Sequence, residues 1–266
     1  MLFARIHTLI SLGCSTKGTI MVTNLSRHLT GARRTESGNR SLGYLLAFVA
    51  GAINAGGFLA VQQYTSHMTG IVSEMADLIA LGQYRIALFG LLCLATFISG
   101  AACTALLVNY ARSRQLQSEY ATPLLVEASL LMAFGILGTR ILAVDGVFVT
   151  ITILLLCFVM GLQNAVITKI SGAVIRTTHV TGIATDLGID VGRWLFRKAA
   201  TGAEFVPTPQ RMPMLAILLM SFFVGGLTGA VGFQALGYAA TLPLAAALIA
   251  AAITPVFDDV KERKRR

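Results

Sequence analysis

Two stretches of the chain carry the same ordered set of polar residues. Thr65-Ser66-His67-Met68-Thr69-Gly70-Ile71-Val72-Ser73-Glu74 is matched by Thr177-Thr178-His179-Val180-Thr181-Gly182-Ile183-Ala184-Thr185-Asp186, each pair 112 residues apart. Each copy offers hydroxyls, an imidazole, a glycine and a carboxylate, a set that can bind an anion, relay a proton or hold a cation. If helices begin near Ser66 and Thr178, those hydroxyls can cap free N–H groups. Thr69, Gly70, Thr181 and Gly182 then lie in the first turn, where glycine lets a ligand or a facing backbone come close. A helix start aimed into a low-dielectric cavity favours negative charge. Glu74 follows His67 by seven residues, hence on the same face, and Asp77 lies one turn further; His179, Asp186 and Asp190 repeat the arrangement. The quartet His67, Glu74, His179 and Asp186 can therefore converge.

A second block repeats just upstream, Gly51-Ala52-Ile53-Asn54-Ala55 against Gly161-Leu162-Gln163-Asn164-Ala165, offset by 110. Two ordered matches at nearly one offset imply an internal duplication. Asn54 and Asn164 precede the two polar stretches at equivalent places. An amide inside a span needs partners, so each could line a cavity or tie interrupted backbone, with a structural bond between repeats the plainer expectation. Glu127, four residues after Pro123, has no acidic counterpart, because Pro243 is followed four later by Ala247. It could gate the inner side or sit in the interface.

The elements that must position these groups belong to a membrane. Of the 266 residues 55% are hydrophobic and only 12% charged, about half the charge of a soluble domain. The net charge of +9 suggests nucleic acid, yet no basic patch interleaved with aromatics is present, and the cations sit at the ends of apolar runs. They serve orientation and contact with anionic lipid. Cys14, Cys93, Cys103 and Cys157 form no CxxC pair, so reduced, buried packing is expected of the last three. No P-loop, GxGxxG, HExxH or GxSxG pattern occurs, which removes the support for a hydrolase, a nucleotide-driven pump or a bound cofactor.

Six apolar runs are long enough for about 30 Å of hydrocarbon, approximately 42–61, 86–109, 122–142, 147–168, 213–234 and 236–257. Residues 1–41 read as a flexible basic cytoplasmic tail, with Met21 as an alternative start, and 258–266 as a basic C-terminal tail. Residues 42–142 form the first membrane repeat and 147–257 the second. Gly225, Gly229 and Gly232 suit close packing in lipid. Trp194 and Tyr84 read as interfacial anchors, and Val206-Pro207-Thr208-Pro209 as a stiff linker. Segments 66–82 and 178–195 are short and acid-bearing. If neither spans and the N-terminus is inside, only Arg85 and Arg140 of the 21 basic residues lie outside, which obeys the positive-inside rule. Three crossings per repeat would invert the second copy, an arrangement found in transporters and related channels, with the site near the midplane.

An isolated ionised acid at bilayer depth costs on the order of 2.5–3.5 kcal/mol, so these acids must face water, a partner or each other. Protonation would remove the cost, making proton coupling an option, with His67 or His179 as relay. The alternative places Glu74, Asp77, Asp186 and Asp190 on interfacial amphipathic helices, paired with Arg85 or Arg193.

The strings LLAFVAGAINAGGF, YTSHMTGIVSEMADLIALG and MGLQNAVITKISGAVIRTTHVTGIATDLG resemble the YoaK family of bacterial membrane proteins over about residues 42–257. The resemblance implies a six-span inner-membrane protein and supplies no substrate. Many relatives carry an acid where Asn54 stands and Asn where Ile71 stands. An amide at position 54 cannot titrate, which counts against proton coupling in the first repeat.

The expected fold is an all-α membrane protein of six transmembrane helices in two inverted three-span repeats, each with a short re-entrant or half helix. The expected function is a small-solute transporter or channel of the bacterial inner membrane, both termini cytoplasmic, moving a weak-acid anion with protons. It is not expected to be an enzyme, and its partners are membrane lipid, the solute and protons, with a homo-oligomer left open. Two alternatives remain open on the residues alone. One is a metal-binding enzyme or metal carrier using His67, Glu74, His179 and Asp186, since two histidines and two carboxylates suit zinc, manganese or iron. The other is an accessory or assembly protein whose repeats serve packing alone.

Overall fold

A computed structural model describes residues 23–24, 26–30, 35–140, 146–199 and 211–263, and these are helical apart from short turns. The order is α1 (Glu36–Val61), α2 (Met68–Ala80), α3 (Tyr84–Ser113), α4 (Ala121–Arg140), α5 (Gly146–Ser171), α6 (Val180–Ala199), α7 (Arg211–Leu236), a 3-10 turn (Gly237–Ala240) and α8 (Thr241–Arg263). Local signals set the boundaries. Thr35 caps α1 by accepting a hydrogen bond from Gly38 N–H (3.1 Å). Pro123, Pro213 and Pro243 each stand third in their helix, where the missing N–H had no intrahelical partner to lose. Gly82, at φ +72°, turns the chain from α2 into α3 while Gln83 N–H donates to the Leu78 carbonyl (2.8 Å), a glycine-closed helix end.

Five stretches are long and apolar enough to cross a membrane: Glu36–Val61, Tyr84–Ser113, Ala121–Gly138, Phe148–Ser171 and Arg211–Glu262. The last is 52 residues long and contains α7, the 3-10 turn and α8. The protein is thus all-helical, with several apolar helices of membrane-spanning length.

Two close crossings organise the bundle, each made by a reciprocal pair of glycine contacts. On α1 and α7, a Cβ at Gly51 would fall on the Phe222 carbonyl oxygen, and one at Gly225 on that of Phe48. On α5 and α3, a Cβ at Gly161 would fall on the Phe97 carbonyl, and one at Gly100 on that of Phe158. Only glycine admits this backbone approach, the usual small-residue device of helices packed in lipid. The row expected at Gly225 and Gly229 is used: Gly229 meets the backbone of Ala52. At the other crossing the equivalent contact is polar, Thr104 Oγ1 donating to the Leu162 carbonyl (2.9 Å).

These contacts fix helix directions. Gly51, Ala52 and Gly56 of α1 meet Phe222, Gly229 and Phe233 of α7 in ascending order, so α1 and α7 are parallel. By the same reading α3 and α5 are parallel. Between α1 and α5 the order reverses: Gly43 meets Ile167 and Gly57 meets Leu156, so the pair is antiparallel. The pair α4 and α8 is antiparallel as well, Gly138 lying on Tyr238, Gly135 on Thr241, and Asp259 accepting from the Gln117 and Ser118 N–H groups at 2.7 and 2.9 Å.

The amino-terminal region departs from the expected flexible tail where it is described. Residues 26–30 are helical, Leu29 packs in the core, and Ser26 and Thr30 are buried against α8. The reason lies in Pro255. A proline inside a helix has no N–H for the carbonyl four residues earlier, here that of Ala251. Ser26 Oγ and Thr30 Oγ1 both donate to it, at 3.0 and 2.8 Å, and Arg27 pairs with Asp258 at 2.7 Å. The stretch 206–209 expected as a linker lies outside the described residues.

Candidate functional site

The duplicated residues sit where α1 breaks into α2 and α5 into α6. Asn54 Oδ1 accepts a hydrogen bond from Ser66 Oγ, and Asn164 Oδ1 from Thr178 Oγ1, both at 2.8 Å. Each amide thus ties the start of a short helix back to the long helix before it, within one repeat rather than between repeats. This corrects the expected capping role: the hydroxyls point to the asparagines, α2 begins after His67, and no side chain caps it. The glycine also has a different use. A Cβ at Gly70 would stand 2.7 Å from His67 Nδ1, and one at Gly182 2.8 Å from His179 Nδ1. The His-x-Thr-Gly spacing therefore lets each imidazole fold back over the first turn of its own helix. Both histidines, and Thr69 and Thr181 beside them, are exposed or half-buried at the protein surface.

The two ties are offset along the bundle axis. Leu156 marks the level of Gly57; at 1.5 Å per residue Asn54 lies about 5 Å from that level and Asn164 about 12 Å on the same side, leaving roughly 8 Å between them along the axis. From there α2 returns along α3, with Met75 against Gly90, whereas α6 packs on α7. Thr65 and Thr177, just ahead of each tie, are buried, and neither hydroxyl finds a partner. Both were visible in the repeat as its first matched pair.

The acids divide by half. Glu74 and Asp77 are exposed on α2 without an ion-pair partner among the described residues. Asp186 of α6 pairs with Arg211 at 2.8 Å, and Asp190 with Arg193 at 3.4 Å and Arg211 at 4.0 Å. The expected Arg193 pairing is present; Arg85 makes none among the described residues. Arg211 was missed, because it opens a different helix. The quartet His67, Glu74, His179 and Asp186 does not gather: no group of three or more His, Cys, Asp or Glu side chains placed to share a metal ion occurs among the described residues.

Glu127 proves the most unusual of the candidates. It is 0% exposed, and neither carboxylate oxygen has a hydrogen-bond partner. Gln163 of α5, next to the tied Asn164, is equally buried with both amide atoms unpartnered. An unsatisfied buried polar group costs about 1–3 kcal/mol, so these two side chains are the places in the interior where a ligand or water could bind. By contrast, a groove of about 270 Å³ between α1, α7 and α8 is lined by apolar residues such as Leu45, Phe48 and Leu244 and offers only lipid-like contact.

Apolar helices of spanning length, paired helix breaks and an unsatisfied polar interior point to a multi-pass membrane protein. The chain belongs to the DUF1275 family, proteins of unknown function, whose pattern it matches over residues 42–254. No curated protein and no solved structure matches it.

Proposed function

We propose that the protein is a small-solute transporter or channel of the bacterial inner membrane, built from six crossings in two inverted halves and coupled to protons. One observation carries the reading: two short helices, each tied by an asparagine and with the ties roughly 8 Å apart along the axis, depart from antiparallel partners. Because α3 is parallel to α5, and α5 antiparallel to α1, the chain returns through α2 to the face it had reached. The same holds for α6 between α5 and α7. Neither short segment then crosses, and one enters from each side, the arrangement in which transporters place broken helices about a midplane site. It is also the six-span form that the YoaK resemblance implied. Among the described residues, Arg40, Arg112, Lys169, Arg211 and Lys261 lie toward the face where α1 begins and α8 ends, and Arg85 toward the other, which supports a cytoplasmic place for the first face.

In this reading Glu127 carries the proton. A carboxyl with no partner and no exposed surface is neutral at rest, and becomes charged only when a path or a counter-ion opens. Thr65 and Thr177 supply free hydroxyls at the two helix breaks, and Gln163, beside Asn164, a free amide at the second. Glu74 and Asp77 stand at the outer mouth, while Asp186 and Asp190, held by Arg211, stand at the inner one.

Proteoliposomes with an entrapped pH dye test the proposal. Under an imposed pH gradient, small weak acids should acidify vesicles containing the protein faster than empty ones. Glu127→Gln should abolish the difference while leaving the thermal unfolding midpoint unchanged or raised. Equal rates in protein-containing and empty vesicles across a panel of weak acids, or full activity in Glu127→Gln, would overturn it.

A further inference from the structure

Four sulfur atoms gather where the duplication asks only for hydrocarbon. Cys93 of α3 and Cys157 of α5 are fully buried free thiols that belong to one cluster on the parallel seam. They share a cluster with Val61, Ile71 and Ile153, and Met68 and Met75 of α2 pack onto it. Met75 reaches in because residue 90 is glycine: its Sδ lies 3.2 Å from the place a Cβ would take there. Cys93 follows three residues later, on the same helix face.

The matching crossing of α1 and α7, with α6 beside it, shows what packing alone requires. The residues equivalent to Cys157, Cys93, Met75 and Met68 are Ala47, Leu218, Leu187 and Val180. Ala47 and Leu218 are buried and Leu187 packs on the core, so hydrocarbon fills the matching position without loss. Two thiols and a thioether brought into one buried cluster by three helices are a donor set, and its softness decides the ligand. Hard cations want oxygen and an octahedral or larger shell; thiolate and thioether select Cu(I).

We propose that Cys93, Cys157 and Met75 form a binding site for a soft monovalent cation of the Cu(I) class. Uptake breaks one S–H bond and forms one S–Cu bond, and the proton leaves to water. The thiolate and the cation together carry no net charge, which suits a site far from solvent. The second thiol and the Met75 thioether complete the donor set. Nothing in this assignment depends on the transport reading.

The full chain, purified in detergent and kept reduced, is titrated with Cu(I) held by bathocuproine disulfonate, whose absorbance reports competition. The wild type should withdraw one equivalent. Met75→Leu should weaken uptake by about tenfold to a hundredfold, the range seen when even an outer partner of a metal ligand is lost, and Cys157→Ala should abolish it. Cys103→Ser, outside the cluster, should change nothing. Met75→Leu and Cys157→Ala copy residues that the matching crossing of α1 and α7, with α6 beside it, already accommodates, and unfolding midpoints verify that each folds. Should Cys157→Ala fail to fold, a rise in the wild-type unfolding midpoint on adding Ag(I), absent in Met75→Leu, supports the site on its own, and no rise overturns it. Withdrawal of no copper by the wild type, or wild-type affinity in the folded variants, also overturns it.

Discussion

At α2, Glu74 and Asp77 stand exposed with no ion-pair partner among the described residues; at α6, Asp186 and Asp190 are held by Arg211 and Arg193. Behind these surfaces the two halves agree closely. The asparagine ties have the same length, the histidines fold over equivalent glycines, and the glycine crossings are reciprocal. Backbone geometry has therefore been held fixed while the charge around each short helix changed. The shared geometry is what the fold needs, because a shifted crossing would push both of its helices apart. The differing charge is free to serve direction, so the two ends of the molecule need not treat an approaching ion alike.

The largest effect should come from the shared geometry. Alanine at Gly161 places its methyl on the Phe97 carbonyl, and at Gly51 on the Phe222 carbonyl; each should destabilise by about 3 kcal/mol or more, or prevent folding. Gly188 of α6 has nothing within 4 Å, so Gly188→Ala should be neutral or stabilising by up to about 1 kcal/mol. Unfolding midpoints in detergent separate these cases. A tolerated Gly161→Ala would mean that the two crossings are not equivalent.

Next in size is the clasp on α8, which has no counterpart among the described residues of the other half. Ser26→Ala with Thr30→Ala would leave the Ala251 carbonyl unsatisfied beside Pro255, at a cost of about 1–3 kcal/mol. Limited proteolysis should then cut near residues 23–35 well before the bundle. Unchanged protection would show that the segment docks without these bonds.

The asparagine ties come third. Asn54→Ala and Asn164→Ala each remove one hydrogen bond, worth about 0.6 kcal/mol inside a membrane protein. Equal losses in the two variants would extend the equivalence of the halves from geometry to energy. A loss confined to one would show that only that break depends on its tie.

How much of this could be read from the residues follows the same division. The breaks were legible because each repeated string keeps a fixed offset within itself, and the Asn-to-hydroxyl tie survives although its spacing grows from 12 residues to 14. The crossings were not, since Gly100 and Gly225 are 125 residues apart: intervening loops differ in length, so a fixed-offset comparison passes them by. His67 and Gly70 were singled out together, but spacing alone could not tell a gap for a ligand from a gap for the histidine ring itself. Glu127 stood out as an acid within an apolar run. Its complete burial depends on helices remote in sequence, as does the placement of Arg211 over Asp186.

That last ion pair gives the smallest effect and the sharpest use of the comparison. Both Asp186 and Arg211 are more than a third exposed, so water and salt screen their attraction, and Asp186→Asn should cost only about 0.2–1 kcal/mol. Glu74→Gln, with no ion pair to lose, should stay within about 0.5 kcal/mol of the wild type. Salt tells the two apart where size does not. At about 1 M ionic strength the screening length falls to about 3 Å, so the difference between Asp186→Asn and wild type should shrink, while Glu74→Gln should respond little. If both variants respond to salt alike, Arg211 is not what separates the two halves, and the asymmetry must arise from the surfaces around α2 and α6 rather than from this pair.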